Sequence, residues 1–225
     1  MKYFGNDLSE KHKELSKIIR KKDSLADAVN LFLEIHSALH LSEVSNTAAN
    51  EVDSLFGDLS PHEYSIMPSP KKGETIAWVV WHISRIEDMT MNILVAESEQ
   101  IFNEEWQKRI NSSFLDTGVS MSVEEIMVLS KEINISELLA YRNAIGKQTR
   151  DIVEKLTADD MKRKVSPKGI EKIRQAGGTT PNCEWLLEYW GKKDVAGILL
   201  MPPTRHLILH LNDCCKLKLQ IRGAK

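Results

Sequence analysis

Thr75-Ile76-Ala77-Trp78-Val79-Val80-Trp81-His82-Ile83-Ser84-Arg85-Ile86-Glu87-Asp88 is apolar on nearly every side over its first two turns. A helix with that pattern normally sits at the centre of a helical protein, packed on several sides. Three further long segments carry helical periodicity. They cover 24–44, where Leu25, Val29, Phe32, Leu33, Ile35 and Leu39 form a broad apolar stripe, then 136–156 and 204–221, while the central helix itself is predicted over 75–97. Val, Ile and Thr do not gather into alternating runs bounded by tight turns, so strands are not expected. The reading is all-α: a four-helix bundle with additional short helices in its connections.

Capping signals mark the short helices. Ser60-Pro61-His62-Glu63 and Ser122-Val123-Glu124-Glu125 both have the Ser-x-x-Glu box, and Asn182 can cap a helix carrying Trp185, Leu186, Leu187, Tyr189 and Trp190. The breakers 68–73, 177–181 and 201–203 are short and lie close to strongly apolar helices, so none reads as a domain linker. One domain over 1–225 is expected, with the bundle core at about 24–221 and an N-terminal helical extension at 1–23. The locally basic run Lys11–Lys22 is interspersed with Glu14 and followed by Asp23, and is read as a solvated helix face.

Composition excludes several classes. A formal charge of -2 over 225 residues gives no global attraction to nucleic acid or acidic lipid. No apolar run is long enough to span a bilayer, and the opening residues Met1–Asp7 lack the apolar core of a secretory leader. Three cysteines, Cys183, Cys214 and Cys215, without a Cys-x-x-Cys spacing argue against a disulfide framework and fit a reducing cytoplasm. Cys214 lies four residues after His210 and is read as core packing, in preference to a thiolate ligand.

The chemistry lies in the histidines. His206 and His210, in Pro203-Thr204-Arg205-His206-Leu207-Ile208-Leu209-His210, fall on one helix face and reach a single point beside the axis. One buried histidine is ordinarily an imidazole bonded to a carbonyl. Two neutral rings on one buried face each need a partner, and a metal satisfies both at once. His82, among Trp78, Val79, Trp81 and Ile83, is the third candidate ligand, because an unpaired polar ring there is costly. Three imidazoles leave a position for water or substrate, as catalytic sites do, and zinc, nickel and ferrous iron all accept them.

A second pair, His36 and His40 with Glu43 three residues on, is read first as pocket or supporting contacts, then as a surface stripe, then as a separate metal site. Arg85 is a candidate anion binder, with pairing to Glu87, Asp88 or Asp213 as its commoner fate. Glu87 and Asp88 themselves are read as solvent or salt-bridge groups pointing away from the His82 face. His-Leu-Ile-Leu-His lacks the glutamate of His-Glu-x-x-His, and there is no phosphate loop, nucleophile elbow or dinucleotide fingerprint, so no catalytic acid or base is assigned.

The segment Thr75–Asp88 closely resembles the second-helix signature of DinB-like proteins, and Pro203–Asn212 resembles that family's last helix. Trp106, Asp116-Thr117-Gly118 and Ala140-Tyr141-Arg142 are similar in type and order, so the resemblance covers roughly residues 30 to 220. It implies a four-helix bundle with a metal at one end, held by His82 of the second helix and by His206 and His210 of the fourth. It also implies a small-molecule substrate: some relatives are transferases using metal and a low-molecular-weight thiol such as mycothiol or bacillithiol, and others hydrolyse. The family's association with DNA damage concerns regulation, and no nucleic-acid or membrane partner is expected. His36, His40 and the long stretch 157–200 depart from the family pattern.

The functional expectation is a metal-dependent enzyme acting on a small molecule, thiol transfer being preferred to hydrolysis because no base stands beside the ligands. A non-catalytic bundle acting as sensor or carrier is the alternative. Trp185, Tyr189 and Trp190 are read as interface, lid or core residues, which leaves a homodimer open.

Overall fold

The computed structural model describes residues 5, 7–71 and 73–223. Met1–Phe4 and Asn6, read above for a leader, lie outside them. Twelve α-helices are described: α1 Leu8–Ile18, α2 Leu25–Ser37, α3 Glu51–Phe56, α4 Pro61–Tyr64, α5 Ile76–Asp88, α6 Glu104–Ile110, α7 Val123–Glu132, α8 Ile135–Glu154, α9 Pro167–Gln175, α10 Glu184–Gly191, α11 Val195–Leu199 and α12 Leu207–Ile221. Among the described residues there is no strand, only an isolated bridge between Lys164 and Asp194. The fold is an all-α bundle in which α2, α5, α8 and α12 are the long members and the short helices fill the connections.

Helix α5 is central, as its composition requires: Trp78 apart, each of its residues is buried. It packs on α8, α12 and α7. Thr75 starts it, the hydroxyl accepting from the Trp78 N–H at 3.0 Å. It runs on into a buried π-helical stretch, Met89–Val95, and the chain turns away at Glu97, which has a left-handed φ of 54°.

The first long helix is shorter than its periodicity predicts. The Asn50 amide donates to the carbonyls of Ser37 and His40, at 3.1 and 2.8 Å, and the Arg142 guanidinium donates to Leu39 at 2.7 Å. Side chains from other segments thus take the last carbonyl of α2, that of Ser37, and those of Leu39 and His40 just beyond it, and α2 ends at Ser37. The last long helix starts earlier than predicted, as a π-helical stretch over Met201–His206 that leads into α12. Pro202 and Pro203 have no N–H to give, and the Thr204 hydroxyl donates to the Leu199 carbonyl at 2.8 Å across the widened turn.

Ser60 and Ser122 form the capping boxes expected of them. Asn182 does not cap: Pro181–Cys183 is a 3₁₀ turn, and α10 begins at Glu184 without a side-chain cap. Basic residues of α1 pair with their own helix's acids, Lys13 with Glu10 and Lys17 with Glu14, which makes a solvated face. No helix among the described residues is long and apolar enough to cross a membrane.

Candidate metal centre

Four consecutive carbonyls lie alongside α5, and each accepts from a side chain of that helix. Leu115 O accepts from Arg85, at 3.1 and 3.0 Å, and Asp116 O from the Trp81 indole at 3.0 Å. Thr117 O accepts from His82 Nδ1 at 2.8 Å, and Gly118 O from the Trp78 indole at 3.0 Å. The loop is laced to the helix from Arg85 back to Trp78. Gly118 makes this approach feasible: its φ is 75°, and a Cβ there would come within 2.9 Å of the Trp78 indole nitrogen.

The lacing fixes His82. Its ring is stacked on Trp78 with centroids 5.1 Å apart, and Nδ1 must carry the proton to bond to a carbonyl, which leaves the Nε2 lone pair free. That Nε2 is 3.1 Å from Nε2 of His206. The His210 ring completes the group, its centroid 4.9 Å from that of His82 and 4.4 Å from that of His206. One nitrogen of each ring lies within 4.8 Å of the others, an arrangement able to hold an ion. Two nitrogens sharing an ion at about 2.1 Å stand roughly 3.4 Å apart, close to the His82–His206 separation. Burial pushes the His82 pKa down to about 3, and the neighbouring His210 adds to that. Burial and the facing rings likewise hold His206 well below its usual value, and burial lowers His210. Neutral rings with lone pairs converging on one point are the donor set a divalent transition ion requires.

The triad opens onto a pocket of about 450 Å³. Trp78, Ile86 and Val119 line it together with Trp185, Leu186, Tyr189 and Trp190 of α10 and with Met201 and Pro202 from the π-helical turn. Trp190 is buried and Trp185 is exposed at the rim. No Asp, Glu, Lys or Arg lines the pocket.

The DinB superfamily profile matches residues 46–214, about three quarters of the chain. The chain belongs to the DinB superfamily. No curated protein matches it at a significant level. Within this DinB protein the matched stretch contains α5 and both histidines of the last segment, whereas α2 lies outside it.

His36 and His40 do not line the pocket. They stack on each other, centroids 4.2 Å apart, and donate through Nε2 to the two oxygens of Glu87, at 3.0 and 3.1 Å. Thr149 donates to the same carboxylate at 2.9 Å. Glu43 takes no part and accepts from Asn143 instead. Burial alone would raise the Glu87 pKa, but the electrostatic interaction with His40 and the bonds from His36 and His40 hold it well below the usual range. Burial pushes His40 down to about 3 against the pull of Glu87. By position this group too can hold an ion. Its charge argues for a closed polar network: the Glu87 carboxylate acts on the buried Arg142 guanidinium, and a divalent ion would leave positive charge buried without an answering anion.

Arg85 is also outside the pocket. Its guanidinium meets Asp88 at 3.3 Å, Tyr141 at 2.9 Å and Gln100 at 3.0 Å, and lies over the Phe102 ring at 4.1 Å. Asp88 in turn accepts from Tyr141 at 2.5 Å and from the backbone of Ile101 and Phe102. Of the two readings offered for Glu87 and Asp88, ion pairing holds and solvent exposure does not: both are fully buried, Asp88 against Arg85 and Glu87 against His36 and His40. Helix geometry does point them away from His82, but other parts of the fold cover that side of α5. Cys214 is buried in the core, where burial raises its thiol pKa. The four-carbonyl ladder carried no sequence signal, since backbone acceptors have none; Gly118 after Asp116-Thr117 is its only trace.

Proposed function

We propose that this DinB protein is a metal-dependent enzyme acting on a small molecule, its ion held by His82, His206 and His210, with transfer to a low-molecular-weight thiol as the reaction. The observation that carries this reading is the convergence of three neutral imidazole nitrogens at an apolar pocket, with no fourth protein ligand grouped with them among the described residues. An incomplete ligand set is the mark of a catalytic site. Zinc, nickel or ferrous iron, when bound there, supplies Lewis acidity that lowers the pKa of a coordinated thiol or water.

The chain's own residues do the rest. The Thr117 carbonyl holds the His82 proton on Nδ1 and so keeps Nε2 available. Trp78 covers one face of that ring, and the α10 aromatics give the pocket an apolar lining. No carboxylate lines the pocket to take a proton from water, whereas a thiol, with a pKa near 8.5, needs far less help to ionise. Sulfur then attacks an electrophilic carbon: the C–S bond forms, the bond to the leaving group breaks with its electron pair, and the thiol proton passes to solvent.

Turnover of alkyl and aryl halides by protein loaded with zinc, nickel or ferrous iron, with and without added thiol, tests the reading. Rates that depend on thiol support it, and equal rates with and without thiol overturn the transfer. The missing base also favours a second reading, a binding bundle acting as sensor or carrier. That one requires tight metal uptake with no acceleration of any reaction.

A further inference from the structure

We infer that the co-ligand of the triad is an apolar monothiol, one ionisable sulfur on an aromatic or alkyl body with no further charge, and that thiols carrying several carboxylates are rejected. The inference rests on the metal reading and narrows it to a ligand class.

Three observations carry it. The pocket walls bring together four aromatic side chains, Trp78, Trp185, Tyr189 and Trp190, and no cationic residue. Two buried cations and one beside the pocket are committed elsewhere, and Arg205, next to His206, is exposed and does not line the pocket. Arg85 is bound to Asp88, Tyr141 and the Leu115 carbonyl, Arg142 to the Leu39 carbonyl, and the Lys193 ammonium rests on the Tyr189 ring at 4.2 Å. A carboxylate carried into these walls would lose its hydration without gaining a partner. Finally, three neutral imidazoles bring no negative charge to a divalent ion, and Asp213, 3.6 Å from His210 Nδ1, does not line the pocket. One negative donor atom is favoured at the histidine end and nowhere else in a cavity of about 450 Å³, a size that suits a small aromatic molecule.

The test compares benzyl mercaptan with glutathione on cobalt-loaded protein, reading the sulfur-to-cobalt absorption in the near ultraviolet and the quenching of tryptophan emission. Benzyl mercaptan is expected to saturate at a concentration at least about tenfold lower than glutathione, and Trp185→Ala to weaken it by about tenfold while cobalt is still taken up. Equal or tighter binding of glutathione overturns the inference, as does an unchanged benzyl mercaptan affinity in Trp185→Ala. Displacement of the neutral dye 1-aminoanthracene from metal-free protein measures the pocket alone. Displacement by benzyl mercaptan without cobalt uptake would reject the metal reading and keep the apolar pocket. Cobalt uptake without displacement would reject the ligand class and keep the metal.

Discussion

Two histidine pairs, His206/His210 and His36/His40, have the same spacing and meet opposite fates. The first pair lies at a pocket, and its nitrogens converge with that of His82, whose own proton is held by a backbone carbonyl. The second is sealed in the core and spends its Nε2 protons on Glu87. What separates them is the partner the fold supplies. His82, His36 and His40 each give one proton away and keep a lone pair on the other nitrogen: His82 Nε2 faces His206 at the pocket, whereas Nδ1 of His36 and of His40 is buried without a partner, and Arg142 balances the Glu87 charge. Ligand-like spacing on a helix therefore makes an open candidate metal site only where the fold brings the rings together at a pocket.

The largest contrast expected is in metal uptake. His82→Ala should fall from about one equivalent of zinc to under about a tenth, with helicity retained, while His36→Ala should keep its equivalent. Elemental analysis of untagged protein beside circular dichroism decides it, and equal losses in both variants would erase the distinction between the pairs.

Stability should respond the other way round. Glu87→Ala leaves two buried imidazole donors and Arg142 without their anion, and should cost about 3–5 kcal/mol in urea unfolding. His210→Ala, at the pocket edge, should cost far less in the metal-free protein.

Acid should act on the sealed pair first as a loss of stability. The native state keeps His40 neutral down to about pH 3, whereas the unfolded chain takes up that proton near pH 6.5. The unfolded state therefore binds more protons in that window, and this contribution is complete above about pH 6.5 and shrinks as pH falls. Glu87, whose native pKa is depressed, adds a loss in the same direction below its ordinary range. Between pH 7 and 5 the His40 ring alone should remove roughly 2 kcal/mol. A flat unfolding free energy over that range would show that the ring is not held neutral.

The smallest effect is also the sharpest. Gly146 lies in the middle of α8, where alanine would ordinarily stabilise by about 1 kcal/mol. A Cβ there, however, would sit 2.6 Å from His40 Nδ1 and 2.9 Å from Val44. Gly146→Ala should therefore destabilise, by about 1–3 kcal/mol. The double variant with His40→Ala should recover part of the loss if the ring is the obstacle.

Much of this was legible in local pattern. The all-round apolar stretch around Trp81 made α5 central, and the Ser-x-x-Glu boxes began α4 and α7 where expected. The ends of helices were less legible, because α2 is stopped by Asn50 and Arg142, residues distant in the chain. Glu87 and Asp88 were legible as ion-pairing groups but not as buried ones, because a carboxylate is written the same way whether it faces water or a buried partner.

The sequence by itself determined the periodicities, the turn-forming residues and the supply of imidazoles, since these depend on neighbours a few residues apart. Only the tertiary structure decided which imidazoles meet at a pocket and which are tied to a buried carboxylate. That depends on where distant acceptors come to rest: the Thr117 carbonyl, 35 residues beyond His82, and the Glu87 carboxylate, 51 and 47 residues beyond His36 and His40. A proton goes to the acceptor that packing brings within reach, and spacing along the chain does not encode that distance.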